Sequence, residues 1–412
     1  MRFFGKNVFF LHLFAQYRPE PHWPLIIKIL YYLERFCCYV CFTATLAFSA
    51  IAVVLDDTGE IAHSAINIVN ILIYASIALR NIHFVYYSDV VEYLIMRMNT
   101  VMREKASLGF EPYTMKQGRT VSNRMHNAWN LFAIGAGMGM ALSPFFKRKK
   151  ELPLQYWLFY DWTDDRYYMP TLVFQTMSQI FMVSCFANIE MFNACFTILL
   201  RYQFKLLGDD FKHIFSNALH KIGMPRTDVE YFMNNREDKL YINKIQKIAD
   251  TKEFKSAILD NLKFCIHHHQ DMLTFKDEFY GFISFQLSTE LLFLLGYLIF
   301  SLFTVTITDD PTIYFALSQY FGGTVCQIYM MGVFGEKLTM EVDELRNILY
   351  DQPWYFCDKE FRKDFLIIQM RMTKNGYLKA GKLLDMSLET FLEFMKKAAS
   401  FFAVLRQVNG ED

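Results

Sequence analysis

The chain has 412 residues, 53% of them hydrophobic, and its 42 basic residues balance 42 acidic ones. That balance excludes the one-signed surface charge of a nucleic-acid binder. Long apolar runs alternate with segments holding nearly all the Lys, Arg, Asp and Glu, and a soluble protein would have to hide six long apolar helices at once.

The apolar start runs into YRPEPHWP, residues 17–24, without the small-residue pattern of a cleavage site. It reads as a cytoplasmic amphipathic segment lying against a membrane. Residues 36–55 form the first run long enough to cross a bilayer. Residues 61–79 form the second, continuing to Tyr87 if Arg80 and His83 face protein. The third run is 127–146, with Gly135, Gly137 and Gly139 inside it. Three more cover about 172–200, 281–308 and 312–334. Residues 386–408 are helix-like but carry Glu389, Glu393, Lys396, Lys397 and Arg406. Charge in hydrocarbon is costly, so this seventh helix either lies at the interface or lines an aqueous path.

Between the spans, Ile245, Ile248, Phe254, Ile258, Leu262 and Phe264 recur at helical spacing within 206–280. The pattern predicts continuations of helices four and five, joined by a polar loop at 222–240. A further amphipathic helix is expected over 359–375, ending near Asn375-Gly376. Together these form a helical region on one side of the membrane.

With seven spans and a cytoplasmic N-terminus, the inner segments hold 31 Lys and Arg against five outside, four of those five in the KRKK run at 147–150. Basic residues are retained inside, which predicts an extracellular C-terminus and the opposite topology to a G-protein-coupled receptor. Cys37, Cys38, Cys41, Cys185, Cys195, Cys265, Cys326 and Cys357 all fall in spans or inside, so no external disulfide is expected. No Asn-x-Ser/Thr acceptor occurs. The predicted fold is an all-α integral membrane protein with seven transmembrane helices and a cytoplasmic helical anchor.

Enzyme motifs are missing: there is no Gly-rich phosphate loop, His-Glu-x-x-His pair or Gly-x-Ser-x-Gly elbow. Three adjacent ring positions, His267 to His269, cannot converge on one ion from a helix and read as packing or solvated residues. The cysteines at 37, 38 and 41 fill space in an apolar span. No catalytic residue, metal or cofactor is expected. The spans do share a theme of aromatics, Met and small residues: Tyr74, His83, Phe84 and Tyr87; Phe132 beside Gly135–Gly139; Met177, Phe181 and Cys185; Tyr320, Phe321, Gly323 and Thr324. These either pack helices together or line an apolar cavity for a small hydrophobic ligand. On the last helix, Glu393, Lys397, Ser400, Val404 and Val408 share one stripe at about 100° per residue. Charged below and apolar above, the stripe suits a wet vestibule leading to a hydrophobic constriction.

The stretch VFGEKLTMEVDELRNILYDQPWYFCD at 333–358 places Phe334, Gly335, Leu338, Trp354 and Tyr355 in a characteristic order. The final helix adds Gly381-Lys382, Met386-Ser387-Leu388, Phe391, Ser400-Phe401-Phe402 and Val404-Leu405-Arg406-Gln407-Val408. In these the chain resembles the insect odorant receptor family, departing where Ser400 and Phe401 stand in place of the family's common Thr-Tyr. The resemblance implies a subunit of an odorant-gated, non-selective cation channel in the plasma membrane of olfactory sensory neurons. Its partners would be a shared co-receptor subunit in a heterotetramer, a small volatile hydrophobic ligand, membrane lipid and conducted cations. Lacking a long insertion in 206–280, the chain looks like a tuning subunit rather than the co-receptor. A gustatory-type cation channel is the close alternative; a transporter would need internal repeats, and none is visible.

On this reading residues 1–412 are one channel subunit. Residues 36–334 make a six-helix ligand-binding region, 335–385 an anchor segment and 386–408 a pore-lining helix. His83, Phe84, Tyr87, Phe132, Gly135, Gly139, Met177, Phe181, Tyr320 and Thr324 are the expected ligand contacts. Glu393, Lys397, Ser400, Val404, Gln407 and Val408 line the pore, with the gate at Val404 and Val408. Segments 245–275 and 340–380 are expected at subunit contacts.

Overall fold

A computed structural model describes residues 5–55, 61–109, 115–142, 152–154, 157–308, 311–372, 379–380 and 384–408. Thirteen α-helices occur among them. They are α1 (Gly5–Leu13), α2 (Leu25–Val54), α3 (Ile61–Tyr86), α4 (Ser88–Val101), α5 (Lys116–Leu142), α6 (Asp165–Lys212) and α7 (Ile214–Lys221). They continue as α8 (Arg226–Asn234), α9 (Lys239–Ala249), α10 (Lys252–Ile307), α11 (Pro311–Tyr350), α12 (Lys359–Arg371) and α13 (Leu388–Val408). A two-residue antiparallel ladder, Lys379–Ala380 against Leu384–Asp385, joins the last two helices. Helices α2, α3, α6 and α10 are long and apolar enough to cross a membrane.

Burial separates two kinds of apolar helix. Leu25, Ile26, Ile29, Leu30, Leu33 and Phe36 of α2 stand exposed, a face that hydrocarbon solvates and water does not. Nearly every residue of α6 from Met182 to Phe211 is buried instead, and α5, α10, α11, α3 and α1 all pack on it. Asp164 caps α6, accepting from the Arg166 amide at 3.0 Å. At ~1.5 Å per residue, the 48 residues of α6 and 56 of α10 reach about 70 and 85 Å. Both are more than twice the roughly 30 Å of bilayer hydrocarbon, so both project far beyond it.

Those projections, with α7, α8, α9 and α12, build the expected helical region at one end. Its 222–240 stretch is not a plain loop: α8 folds there behind Pro225, burying Val229 and Phe232. Asp358 caps α12 through the Phe361 amide at 3.0 Å, and Trp354 stacks on Phe365 at 5.4 Å. Phe365 is thus buried within its own chain, leaving Leu366, Ile367 and Met370 as the exposed apolar face of α12. Asn375-Gly376, the KRKK run and Gly381-Lys382 lie outside the described residues.

The N-terminal segment packs one face inward and leaves Phe9 and Leu13 exposed on the other. Val8 and Leu11 of α1 are buried against α6, and Gln16 donates to the Cys185 carbonyl at 2.8 Å. Arg35 holds the following turn by donating to the Ala15 carbonyl at 2.8 Å.

His268 and His269 are buried on α10, whereas His267 is exposed, so the triplet divides into packing and solvated residues. Burial, then Arg103 and His269, pushes the His268 pKa down to about 3. Burial, then Arg371 and Lys276, takes His269 to about 4. Both stay neutral when folded but titrate near the ordinary ~6.5 when unfolded. Below that pH the unfolded chain binds protons that the folded chain refuses, so stability falls with acidification. The melting temperature of the purified protein should drop from about pH 6.5 down to about pH 4. His268→Leu should flatten that slope, and an identical pH dependence in the variant would refute the assignment.

Candidate functional site

Arg80 lies within the membrane-crossing part of α3 and is 2% exposed; Glu190 of α6, its direct salt-bridge partner, is 1% exposed. Glu290 of α10 lies 3.6 Å from Arg80 Nη1. The guanidinium also sits over the Phe186 ring, 5.4 Å from its centroid. One buried cation therefore ties three helices together, the arrangement that lets an arginine reside among apolar spans.

A cavity of ≈160 Å³ opens beside this cluster. Leu72, Ile73, Ser76, Ile77 and Arg80 line it from α3, and Trp129, Phe132, Ala133, Ala136 and Gly137 from α5. Val183 and Phe186 come from α6; Glu290, Phe293, Leu294 and Tyr297 from α10; Tyr320, Gly323, Thr324 and Gln327 from α11. The contributions of α3, α5, α10 and α11 are each spaced by three and four residues, one face of a helix in every case. A Cβ on Gly323 would meet nothing within 4 Å, so this glycine adds room to the chamber. Trp129 Nε1 and Gln327 Nε2 are buried on the wall without a hydrogen-bond partner among the described residues.

Of the residues singled out from sequence, Phe132, Tyr320 and Thr324 meet at this cavity. His83 and Phe84 lie about one turn beyond Arg80 on α3, and Tyr87 sits in the turn between α3 and α4. There His83 stacks on Phe285 at 4.6 Å, Phe84 meets Phe192 edge-on at 5.1 Å, and Tyr87 lies 4.8 Å from His83. Gln286 bridges this layer, accepting from Asn193 at 2.8 Å and meeting His83 Nδ1 at 3.4 Å. Gly135 is exposed with open space around it, Gly139 is half-buried and off the cavity wall, and Met177 is 64% exposed. Phe181 packs on Phe14 in a separate cluster, ring centroids 5.5 Å apart. Sequence reasoning misses Glu290 and Gln327, although a carboxylate inside the 281–308 run is itself a signal.

The last helix divides lengthwise. Phe391, Phe394 and Ala398 pack against the core. Glu393, Lys397, Ser400, Val404 and Gln407 are exposed, Val404 by 56%, and Lys397 Nζ lies 4.0 Å from Glu393. The side chain of Val408 lies outside the described residues. The approach to α13 docks on α11: a Cβ on Gly335 would come within 2.5 Å of the Met386 carbonyl oxygen, and one on Gly332 within 3.2 Å of that of Ser387. Glu336 Oε2 accepts from the Leu388 amide at 3.1 Å, anchoring the first turn of α13.

An all-helical membrane protein with an aromatic-walled cavity among its helices and a two-faced last helix is the class these features define. The family model described as 7tm Odorant receptor matches residues 64–399. This chain belongs to the insect odorant receptor family, whose members are sensory receptors and not enzymes. It is 21% identical over 341 residues to Odorant receptor 83a of Drosophila melanogaster, covering 77% of this chain and 74% of that one. To Odorant receptor Or1 of Anopheles gambiae it is 22% identical over 351 residues, covering 81% and 80%. The fold superposes on the insect olfactory receptor OR5 from Machilis hrabei with TM-score 0.76 at 11% identity, over 98% of this chain and 97% of that one. The same receptor in complex with eugenol gives 0.72 at 12% identity, over the same shares.

Arg80→Leu strands two buried carboxylates and should cost about 3–5 kcal/mol, lowering both thermal stability and surface expression. Adding Glu190→Gln and Glu290→Gln should recover most of that loss. A single variant as stable as the parent protein would show that the cluster is not buried in the folded state.

Proposed function

We propose that this chain is the odorant-binding subunit of a heteromeric, ligand-gated, non-selective cation channel in the plasma membrane of olfactory sensory neurons. In this reading seven helices, α2, α3, α5, α6, α10, α11 and α13, cross the membrane, with the N-terminus cytoplasmic and the C-terminus outside. A co-receptor subunit completes the tetramer, and the exposed Leu366, Ile367 and Met370 of α12 supply part of the contact between subunits.

The observation that carries the reading is the aromatic-walled cavity between five helices, sized for a small hydrophobic guest. Phe132, Tyr320 and Thr324 are its ligand contacts among the residues read from sequence. Helices α10 and α11 both line the cavity and pack on α13, so a guest that shifts either one reaches the last helix. Along α11, Gln327 on the cavity wall is eight residues from Gly335, about 12 Å at ~1.5 Å per residue. Ligand energy works on gating only through a difference in contacts between closed and open states. The Gly335–Met386 approach is close enough that a small displacement of α11 must be transmitted. On α13, Glu393, Lys397 and Ser400 form the wet part of the pore, and Val404, Gln407 and Val408 surround its constriction.

Cells expressing this chain with a co-receptor should carry odorant-evoked cation currents that neither subunit gives in that odorant panel alone. Ala136→Phe fills the chamber and should abolish those responses while leaving surface expression intact. Unchanged dose-response curves in that variant would remove the cavity as the ligand site.

Val404→Ser should raise the current without odorant or alter ion permeability, because a polar ring wets where an apolar one excludes water. In a heteromer with mostly co-receptor subunits this chain would supply a minority of the ring, so the shift is expected to be graded. Unchanged basal current, reversal potential and block would take Val404 out of the pore.

A further inference from the structure

The charges around the cavity do not balance. Arg80 contributes one positive unit, while Glu190 and Glu290 contribute two carboxyls. Glu190 is in direct contact with Arg80 and is not part of the cavity wall; Glu290 is. Among the described residues, no other Lys, Arg or His lines the chamber. The nearest further titratable side chains are tyrosines, Tyr297 and Tyr320 on the wall and Tyr74 in contact with Tyr320, and His83 is turned toward Phe285 and Gln286. Glu290 Oε2 faces Arg80 Nη1 at 3.6 Å, an ion pair too long for a hydrogen bond, and Gln327 is its polar neighbour on the wall.

A surplus charge among apolar spans is costly, so the cluster needs one more positive unit, which a carboxyl proton supplies in the empty chamber and a cationic guest can supply in its place. We infer that this cavity takes a small organic amine, held as its ammonium ion with Glu290 as counter-ion. The inference rests on the reading of the cavity as the ligand site and names the chemistry of the guest. Trp129, Phe132, Phe293, Tyr297 and Tyr320 supply the aromatic walls, whose ring faces attract a cation. A neutral alcohol or ester brings no positive unit, and a carboxylate adds a second negative one.

Entry need not carry charge across the apolar wall. The amine arrives as free base, and its nitrogen lone pair takes the proton that one carboxyl of the empty cluster holds. An N–H bond forms, an O–H bond breaks, and an ammonium–carboxylate pair remains with no change in net charge. The volume, ≈160 Å³, is close to the ~150 Å³ of an apolar cavity that holds benzene. Guests of about six to eight non-hydrogen atoms therefore fit.

The test uses three probes of one carbon skeleton: isopentylamine, isopentanol and 3-methylbutanoic acid. Each is applied to cells expressing this chain with a co-receptor, and each is added to the purified full-length chain to read thermal stabilisation. The amine should act at concentrations about tenfold lower than the alcohol, and in Glu290→Gln the two probes, compared within that variant, should become equal in potency. Glu290→Asp keeps the charge and should keep the preference, which guards against a glutamine variant that misfolds. Equal potency of amine and alcohol, an amine response unchanged by Glu290→Gln, or no effect of any probe on current or stability overturns the inference. Currents evoked by the alcohol alone would do so too while leaving the channel reading standing. Stabilisation by the amine that depends on Glu290 but opens no current would support the inference and sink the channel reading.

Discussion

Arg80 sets the terms for the bundle. A guanidinium within an apolar span must find protein partners, and those it finds, Glu190 and Glu290, lie on two other helices. Sliding α3 by one turn against α6 or α10 would leave a buried charge unpaired, so the contact locks three helices at one depth. Such clusters add little net stability over a well-packed apolar substitute; what this one confers is registry. Everything nearby follows from that layer. On one side, aromatic and small residues face one another across the chamber; on the other, His83, Gln286 and Asn193 form a polar bridge within tight aromatic packing.

Around this layer, exposure tells which helices face what. α2 turns Leu, Ile and Phe outward, a surface for hydrocarbon, whereas α6 is enclosed by other helices. The last helix fits neither description. Its outward stripe mixes Glu393 and Lys397 with Ser400 and Val404, too charged for lipid and too apolar at one end for a purely solvated face. On the proposed channel reading, that mixture would meet water along a shared axis. Its opposite face, through Phe391, Phe394 and Ala398, holds the helix to the rest of the chain.

The four helices long and apolar enough to cross a membrane, α2, α3, α6 and α10, are legible in the sequence because length and apolarity are properties of a segment, readable without knowing its neighbours. The helical extensions beyond α6 and α10 are legible for a similar reason, since Ile245, Phe254, Ile258 and Leu262 repeat at the spacing of one buried face. Which face of a span looks inward is harder. On α6 the four-residue stripe of Met177, Phe181 and Cys185 is a real period, yet Met177 is outward, Phe181 contacts the N-terminal segment, and Val183 and Phe186 reach the cavity. A helix packed on nearly all sides carries little amphipathic signal to orient it. On α5 and α11, Phe132, Tyr320 and Thr324 stand out because bulky or hydroxylated residues sit beside small ones there. The short α8 reads as loop because a nine-residue helix held by two buried side chains barely exceeds its own capping residues.

Buried charge is the more informative signal. Apolar side chains at helical spacing are interchangeable between packing and cavity, so they cannot say which span faces which. A glutamate inside an apolar run has far fewer acceptable surroundings, and Glu190, Glu290 and Arg80 each sit in such a run. Three such residues of mixed sign on three spans point by themselves to one meeting place. On the proposed reading of the cavity as the ligand site, the same scarcity of partners would give it discriminating power. Apolar walls separate guests differing by a methylene by only about 1–3 kcal/mol, whereas buried polar groups left unpaired reject the wrong guest far more strongly. On the proposed ammonium reading, a chamber with this ion cluster on its wall would choose among guests first by charge and only then by shape.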